Sequence, residues 1–298
     1  MPWKCLLEAR KPLAEAAALE DWYAALVAAG EGCSSFERAV LGGRLSVTPG
    51  RAFLAGYQAA LHALWPAAPE GLGALCVTER GKLRPAEFTT RLDGLMLHGT
   101  KDFATAGAAA AWWLVAARDE TPGEAPRLAM TVVRMGAPGV QLQERPPLAM
   151  LPDIPHARLL LDGAHCERLP GDGWSDWSKP FRTLEDTHVL AALVAWLYGI
   201  GLSERWDESL QLRLVGVLGG CAEVARHAPD QPTTHLLLAG VFAQFQALQG
   251  LLDEALVSAD EELATAWRRD RTVLELSASA RQRRLQNAQV ALGFDASQ

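Results

Sequence analysis

Two neighbouring carboxylates stand at the start of a long apolar segment in this sequence. Glu185 and Asp186 are followed by His188 and by a run to position 202 that is apolar on nearly every side. One interpretation is structural: Thr183 would cap a helix, and Asp186, three residues later, would complete a capping box. The other is catalytic, because a carboxylate that a bound substrate desolvates has a raised pKa and can accept a proton. The residues alone leave both interpretations open.

A second group of candidate residues lies in a region of short alternating segments. Thr78 and the run Phe103, Ala104 and Thr105 stand at the ends of such segments, and Asp-Gly at 93–94 is a strong signal for a β-hairpin. Hydroxyl groups beside an aromatic side chain suit the contacts that a flat, partly polar ring needs. Threonine and phenylalanine are also ordinary strand residues, so a purely structural role is the alternative.

The spacing of motifs across this region resembles the middle β-domain of acyl-CoA dehydrogenases. The matching stretches are VTE at 77–79, DG at 93–94, LHGTKDFAT at 97–105 and LVAAR at 114–118. The resemblance covers about residues 73–202. It departs after Glu79, where the family usually continues with a Gly-Ser-Asp element and this chain reads RGKLR.

The resemblance implies an FAD cofactor and a set of contacts to it. Phe103 stands where the family has an aromatic side chain against the flavin, and Thr105 matches the threonine that donates a hydrogen bond near flavin N5. Thr78 matches the threonine near the pyrimidine end, and Ala104 belongs to the same implied contact surface. The family also holds the adenine half of FAD against a neighbouring subunit through an Arg-x-x-Phe-Gly element. No such element follows Gly199.

The resemblance also bears on the two carboxylates. Acyl-CoA dehydrogenases remove an α-proton with a carboxylate while hydride leaves the β-carbon for flavin N5. Most members carry that glutamate in a late Glu-Gly-Thr element, which this sequence lacks, and some carry it at the start of the first helix of the C-terminal bundle. Aligning residues 189–191 with that helix places Asp186, or Glu185 one position away, at the alternative site. Either residue is therefore predicted to be the base.

The pattern of apolar residues and turns predicts a multidomain α+β protein. Residues 1–70 are predicted to form a small helical domain, 71–177 a central antiparallel β-barrel or sandwich, and 178–298 a four-helix bundle. The predicted helices lie at about 12–30, 36–41, 50–65, 184–202, 206–227, 234–257 and 263–292, with a linker at 171–180. The predicted strands are 74–77, 87–92, 95–98, 112–117, 128–133, 140–143 and 157–161.

The net charge and the cysteine content indicate which kinds of partner the protein could bind and in which cellular compartment it is expected. A net charge of −7 argues against binding to nucleic acid, and the absence of an 18-residue apolar run argues against a membrane span. Five scattered cysteines fit a reducing cytosol, so a cytoplasmic location is expected. The histidines show no metal-ligand spacing, so no metal site is predicted. Ser34-Ser35 has no base beside it in the sequence that would mark a nucleophile.

Six arginines lie near the end of the chain. They could contact the phosphate of a CoA or flavin tail, but a solvated face that pairs with nearby acidic residues is the favoured interpretation. The arginines are Arg268, Arg269, Arg271, Arg281, Arg283 and Arg284, and the acidic residues are Asp260, Glu261, Glu262 and Asp270.

These observations predict an FAD-dependent oxidoreductase that acts on the CH–CH group of an acyl thioester such as acyl-CoA and passes electrons to a partner. A homo-oligomer is expected because the apolar stripe in 263–292 exceeds what one short bundle helix needs for its own core. Two alternatives stay open. One is a flavin-dependent monooxygenase of the same superfamily, which needs no α-proton base. The other is a degenerate member that binds no flavin and serves in assembly or acyl binding.

Overall fold

The computed structural model describes residues 3–13, 18–81, 85–119 and 127–294. Four helices come first: α1 (Trp3–Leu7), α2 (Leu19–Ala29), α3 (Ser35–Leu45) and α4 (Pro49–Leu64). Ser34 begins α3 with a complete capping box, and Thr48 caps α4 ahead of a proline in its first turn. The predicted helical start of the chain is confirmed, but residues 11–13 are not helical, so the first long helix begins later than predicted.

Within the residues that the structure describes, eight strands form one sheet in the order β6-β7-β3-β2-β4-β5-β8, with β1 paired to β4. The strands are β1 (Leu72–Cys76), β2 (Arg91–Asp93), β3 (Met96–Thr105), β4 (Ala110–Asp119), β5 (Arg127–Arg134), β6 (Val140–Glu144), β7 (His156–His165) and β8 (Glu167–Arg168). The predicted hairpin at 93–94 is confirmed, since Asp93 pairs with Met96. The sheet is mixed rather than antiparallel, because β4 lies parallel to both β1 and β2. The predicted strand at 87–92 is mostly irregular and becomes extended only at Arg91.

The second half of the described chain is helical. A π-helical turn (Gly173–Ser178) runs directly into α5 (Lys179–Ser203), so the predicted linker is largely helix. The remaining helices are α6 (Glu208–Val224), α7 (Pro232–Gln246), α8 (Gln249–Ala259), α9 (Glu261–Asp270) and α10 (Ala278–Ala291). The prediction of four helices was wrong at two places. The axis bends by 45° between α7 and α8, and a 3-10 turn (Arg271–Glu275) separates α9 from α10.

Helix α5 lies at the centre of the helical part, as its apolar sequence predicted. Two glycines let α3 and α4 approach it closely: a Cβ on Gly43 would lie 2.0 Å from the carbonyl oxygen of Ala192, and a Cβ on Gly56 would lie 2.7 Å from that of His188. The helix from 173 to 203 is long and apolar enough to cross a membrane, but 78% of its most apolar window is buried inside the fold. This burial favours a core helix.

The apolar stripe at 263–292 is used mostly inside the chain. Trp267 is fully buried and stacks on Trp196, and Leu274 and Ala288 are also buried. The C-terminal helices expose other apolar side chains instead: Leu212, Leu276 and Val290 are 61%, 70% and 71% exposed. The buried members of the stripe therefore serve the core of this chain, and the oligomer stays a prediction. How the chain divides into domains stays a prediction.

Candidate functional site

The structure brings Thr78 beside the predicted contacts on β3. The backbone N–H of Asp102 donates to the carbonyl oxygen of Thr78 at 2.9 Å, which places the end of β1 against the end of β3. Phe103 is 37% exposed and Thr105 is half-buried, and both project to the same face because strand side chains alternate. Ala104 projects to the other face and is fully buried. A contact from Ala104 to a cofactor would therefore have to use its backbone.

A buried ion pair fixes these two segments relative to each other. The Lys101 ammonium lies 2.5 Å from the Glu79 carboxylate, and both side chains are almost fully buried. The same carboxylate accepts hydrogen bonds from the backbone N–H groups of Thr89 and Thr90. Although burial opposes ionisation, Lys101 and these donors hold the pKa of Glu79 below its usual value. The sequence motifs contained both partners without indicating that they pair.

The exposed ring of Phe103 has two neighbours that sequence reasoning missed. The guanidinium of Arg145 lies 4.3 Å from the ring centroid, and His156 meets the ring edge-on at 6.4 Å. Arg145 also donates to the carbonyl oxygen of Asp102. Burial lowers the pKa of His156, so the cationic group at this ring is the arginine.

Tyr57 of α4 connects the sheet to α5. Its phenol oxygen accepts the backbone N–H of Leu75 at 2.8 Å, and the side chain of Thr105 acts as a second hydrogen-bond partner that opposes the rise in the pKa of the phenol. Its ring meets Phe181 of α5 edge-on at 5.5 Å. Burial, and to a lesser degree the charge of Glu185, raise the pKa of this phenol, so it stays protonated. Tyr57 therefore joins one predicted cofactor contact to the helix that carries the predicted base.

Glu185 lies one helical turn after Phe181 and so on the same side of α5. Its side chain is partly buried. Desolvation, and then the negative charge of Asp186, raise its pKa to about 8, while Arg182 and Arg284 act in the opposite direction. A carboxylate with such a pKa is partly ionised at neutral pH and can both accept and return a proton.

Asp186 has a different environment from its neighbour. One carboxylate oxygen accepts hydrogen bonds from Ser277 at 2.5 Å and from Arg281 at 2.9 Å, and the other oxygen lies 2.5 Å from Arg284. The side chain is 6% exposed. Two guanidinium groups and a hydroxyl therefore engage both oxygens of this carboxylate.

The capping interpretation of this segment was wrong. The helical turns begin at Gly173 behind the cap residue Asp172, so Thr183 lies well inside the helix. The hydroxyl of Thr183 is buried and makes no hydrogen bond within the described part of the chain. A capping box could not form there, because the backbone N–H groups of this turn are already used within the helix.

The prediction for the C-terminal arginines was correct in part. Arg268 pairs with Glu261 at the surface as expected, whereas Arg269 pairs with Asp270, whose side chain is fully buried. Arg281 and Arg284 point inward and hold Asp186 instead. Among the residues that the structure describes, no group of three His, Cys, Asp or Glu side chains could hold a metal ion.

No protein-family model and no curated protein sequence matches this chain. Several solved structures match it along most of its length. FkbI, for biosynthesis of a methoxymalonyl extender unit, is 21% identical, with 88% of this chain and 84% of FkbI covered and a TM-score of 0.64. A structure of PigA with FAD and proline is 14% identical, with coverages of 88% and 83% and a TM-score of 0.61. Butyryl-CoA dehydrogenase from Megasphaera elsdenii is 14% identical, with coverages of 87% and 83% and a TM-score of 0.59.

These similarities show that the chain has the fold of acyl-CoA dehydrogenase-like flavoproteins. They confirm the resemblance that the motifs at 77–79 and 97–105 indicated. At these identities the likeness concerns the fold, and the chemistry has to be argued from the side chains of this chain.

Proposed function

We propose that the protein is an FAD-dependent oxidoreductase that acts on an acyl thioester. One observation supports this most directly: Tyr57 links Thr105, the predicted donor to flavin N5, to the side of α5 that carries Glu185. A proton acceptor and a cofactor contact would then face the same space. The butyryl-CoA dehydrogenase and the FAD-containing PigA structure with the same fold support the substrate class and the cofactor.

The residues around β3 suit the requirements of a flavin. Phe103 offers a partly exposed aromatic ring, and the hydroxyl of Thr78 makes no hydrogen bond to another described residue. The phenol oxygen of Tyr57 accepts the backbone N–H of Leu75, and the side chain of Thr105 is a second hydrogen-bond partner of this phenol. To donate to flavin N5, the hydroxyl of Thr105 would turn from Tyr57 to the cofactor. Thr78, Phe103, Thr105 and the backbone of Ala104 would hold the ring, and bound FAD would supply the hydride acceptor.

Glu185 is the proposed proton acceptor, and Asp186 is not. The oxygens of Asp186 are engaged by Arg281 and Arg284, whereas those of Glu185 make no hydrogen bond within the described part of the chain. Since Glu185 is half-ionised near pH 8, proton removal by this group should increase as pH rises toward 8. Tyr57 and Phe181 meet edge-on, and the phenol is close enough to Glu185 for the charge of Glu185 to raise its pKa.

The cofactor assignment is tested by mixing purified protein with FAD and measuring visible absorbance and binding. We expect a bound flavin spectrum, and we expect Phe103→Ala to weaken binding. Met96→Ala is the matched control, because Met96 is 41% exposed on the same strand but lies at its other end. A colourless protein that also fails to bind added FAD would contradict the proposal.

The base assignment is tested by following flavin bleaching with an acyl-CoA. Glu185→Gln keeps size and polarity but removes proton acceptance, so reduction should slow by about 10²–10⁴-fold. Glu167→Gln is the control, because Glu167 is exposed at the sheet edge, and it should reduce at the wild-type rate. If Glu185→Gln also reduces at the wild-type rate, Glu185 is not the base. A protein that binds FAD but is reduced by no acyl-CoA would favour the flavin monooxygenase alternative, which needs no base.

A second candidate function rests on the ring of Phe103. Arg145 covers that ring at 4.3 Å and is tied to the sheet through Asp102, so a stacked flavin would have to displace it. This contact favours a member of the fold that binds acyl groups or partners without flavin. The variant Arg145→Ala separates the two candidate functions. If the protein is a flavin enzyme in which the arginine only competes for the ring of Phe103, the variant should bind FAD more tightly than the wild type. If the protein is a member that binds no flavin, neither the wild type nor the variant should bind FAD.

A further inference from the structure

A serine and a histidine that the proposed oxidoreductase does not use are hydrogen-bonded to each other. Ser35, at the start of α3, and His188, on α5, are separated by 153 positions in the chain, and the hydroxyl oxygen of Ser35 lies 3.2 Å from Nε2 of His188. Nδ1 of the same ring lies 2.8 Å from the carbonyl oxygen of Leu184. A carbonyl oxygen only accepts, so Nδ1 carries the proton and Nε2 is the acceptor for the Ser35 hydroxyl.

The backbone holds Ser35 in a position suited to a nucleophile. Ser34 and Glu37 complete the capping box of α3, and Ser35 is the first residue inside the helix. The backbone N–H of Phe36, the next residue, lies in the first turn and has no acceptor within the helix. An N–H directly after a nucleophilic serine can stabilise the negative oxygen that forms when the hydroxyl attacks a carbonyl carbon.

Both side chains line a surface cleft of about 790 Å³. The cleft is also lined by Arg38, His62, Leu64 and Leu184. Nε of Arg38 is buried and has no hydrogen-bond partner within the described chain. The cleft therefore offers apolar walls, a hydroxyl held by an imidazole, and a cationic side chain with an unused donor.

We propose that Ser35 and His188 form a nucleophile–base pair that accepts an acyl group from an activated ester or thioester carrying an anionic group. Oγ of Ser35 would bond to the acyl carbon while Nε2 of His188 takes the hydroxyl proton. The bond from the acyl carbon to the alcohol or thiol would break, and the leaving group would receive that proton. Water would then cleave the acyl-serine by the same route, which releases the acid and restores the serine.

Two features set the expected reactivity. Burial lowers the pKa of His188 to about 4, so the imidazole is neutral at neutral pH but is a weak base. Esters with good leaving groups are therefore the expected substrates. Arg38 would contact a carboxylate or phosphate of the substrate through the part of its side chain that lines the cleft.

The test uses the purified full chain without added flavin. We expect a fluorophosphonate probe to add one adduct, located on the peptide that contains Ser35, and we expect p-nitrophenyl acetate to be hydrolysed. Ser35→Ala should abolish the adduct and reduce hydrolysis by at least about 10²-fold, and His188→Gln should reduce it comparably. Ser175→Ala is the matched control, because Ser175 lines the same cleft but hydrogen-bonds to Asp172 and Asp176 instead of an imidazole.

An adduct on another residue, or hydrolysis that survives Ser35→Ala, would overturn the proposal. Melting curves for every variant separate lost chemistry from lost folding. Should His188→Gln unfold the chain, the adduct position and Ser35→Ala decide the question alone. Since no step involves flavin, failure of FAD binding leaves this test unaffected.

Discussion

Glu185 allows the environment of the proposed site to be measured without any cofactor. Its pKa is raised to about 8 from the usual 4.5, mainly by desolvation. Between pH 4.5 and pH 8, Glu185 is protonated in the folded state and ionised in the unfolded state. The free energy of unfolding must therefore fall as pH rises from about 4.5 to 8. Glu185→Gln removes this titration and with it the loss of stability.

The size of the effect follows from the same values. At about 1.4 kcal/mol for each pH unit, the distance between 4.5 and 8 sets a ceiling near 5 kcal/mol. Because the side chain is partly exposed, solvent screens part of this penalty, and about 1–3 kcal/mol is the expected gain for Glu185→Gln at pH 8.5. At pH 5 the folded wild type carries a neutral Glu185 and the variant carries a neutral glutamine at the same position. The gain in stability should therefore be close to zero.

Urea unfolding of the wild type and of Glu185→Gln at pH 5, 7 and 8.5 measures this dependence. Glu167→Gln is the control, since Glu167 is exposed at the sheet edge and its replacement should shift stability equally at all three values. A gain that is the same at pH 5 and pH 8.5, or a loss that grows with pH, would refute the burial argument. It would also remove the main reason for choosing Glu185 as the base.

Three further outcomes are expected. Lys101→Met should lower the free energy of unfolding by about 3–5 kcal/mol because it leaves the buried charge of Glu79 unpaired, and adding Glu79→Gln should restore most of the loss in urea titrations. Asp186→Asn should lower the melting temperature, since Arg281 and Arg284 lose their counterion, and an unchanged melting curve would contradict that role. The exposed apolar side chains of the C-terminal helices should make the protein oligomeric, and sedimentation that shows only monomer at micromolar concentration would count against this.

The sequence allowed prediction of those features that depend on local pattern. Alternation and the turn at 93–94 indicated the β3 hairpin, and the apolar run from 184 indicated a buried central helix. The resemblance implied that Thr78 and Phe103 contact one cofactor, and the hydrogen bond from Asp102 to Thr78 joins the two segments that carry them. Each of these features depends on residues that are close in the chain, or it was predicted from a family whose known fold already includes the long-range contacts.

Features that depend on tertiary contacts were not predictable in the same way. The break between α9 and α10 falls where Val273 and Leu274 turn inward, although the apolar spacing across 263–292 would also suit one continuous helix. The serine at position 35 was set aside because no base lies near it in the sequence, yet His188 reaches it from another helix. Periodicity indicates which side of a helix is apolar, but it does not identify the partner of a polar side chain.

The two adjacent carboxylates show this limit most clearly. Alignment could not choose between Glu185 and Asp186, because a shift of one residue exchanges them. In the fold, one residue corresponds to about 100° of rotation around the helix axis. That rotation turns Asp186 toward two arginines about 95 positions later in the chain, and leaves Glu185 on the side of Phe181. The arginines engage both oxygens of one carboxylate, while desolvation and the nearby charge of Asp186 raise the pKa of the other. The ion pairs from α10 to Asp186 therefore distinguish the two neighbouring carboxylates.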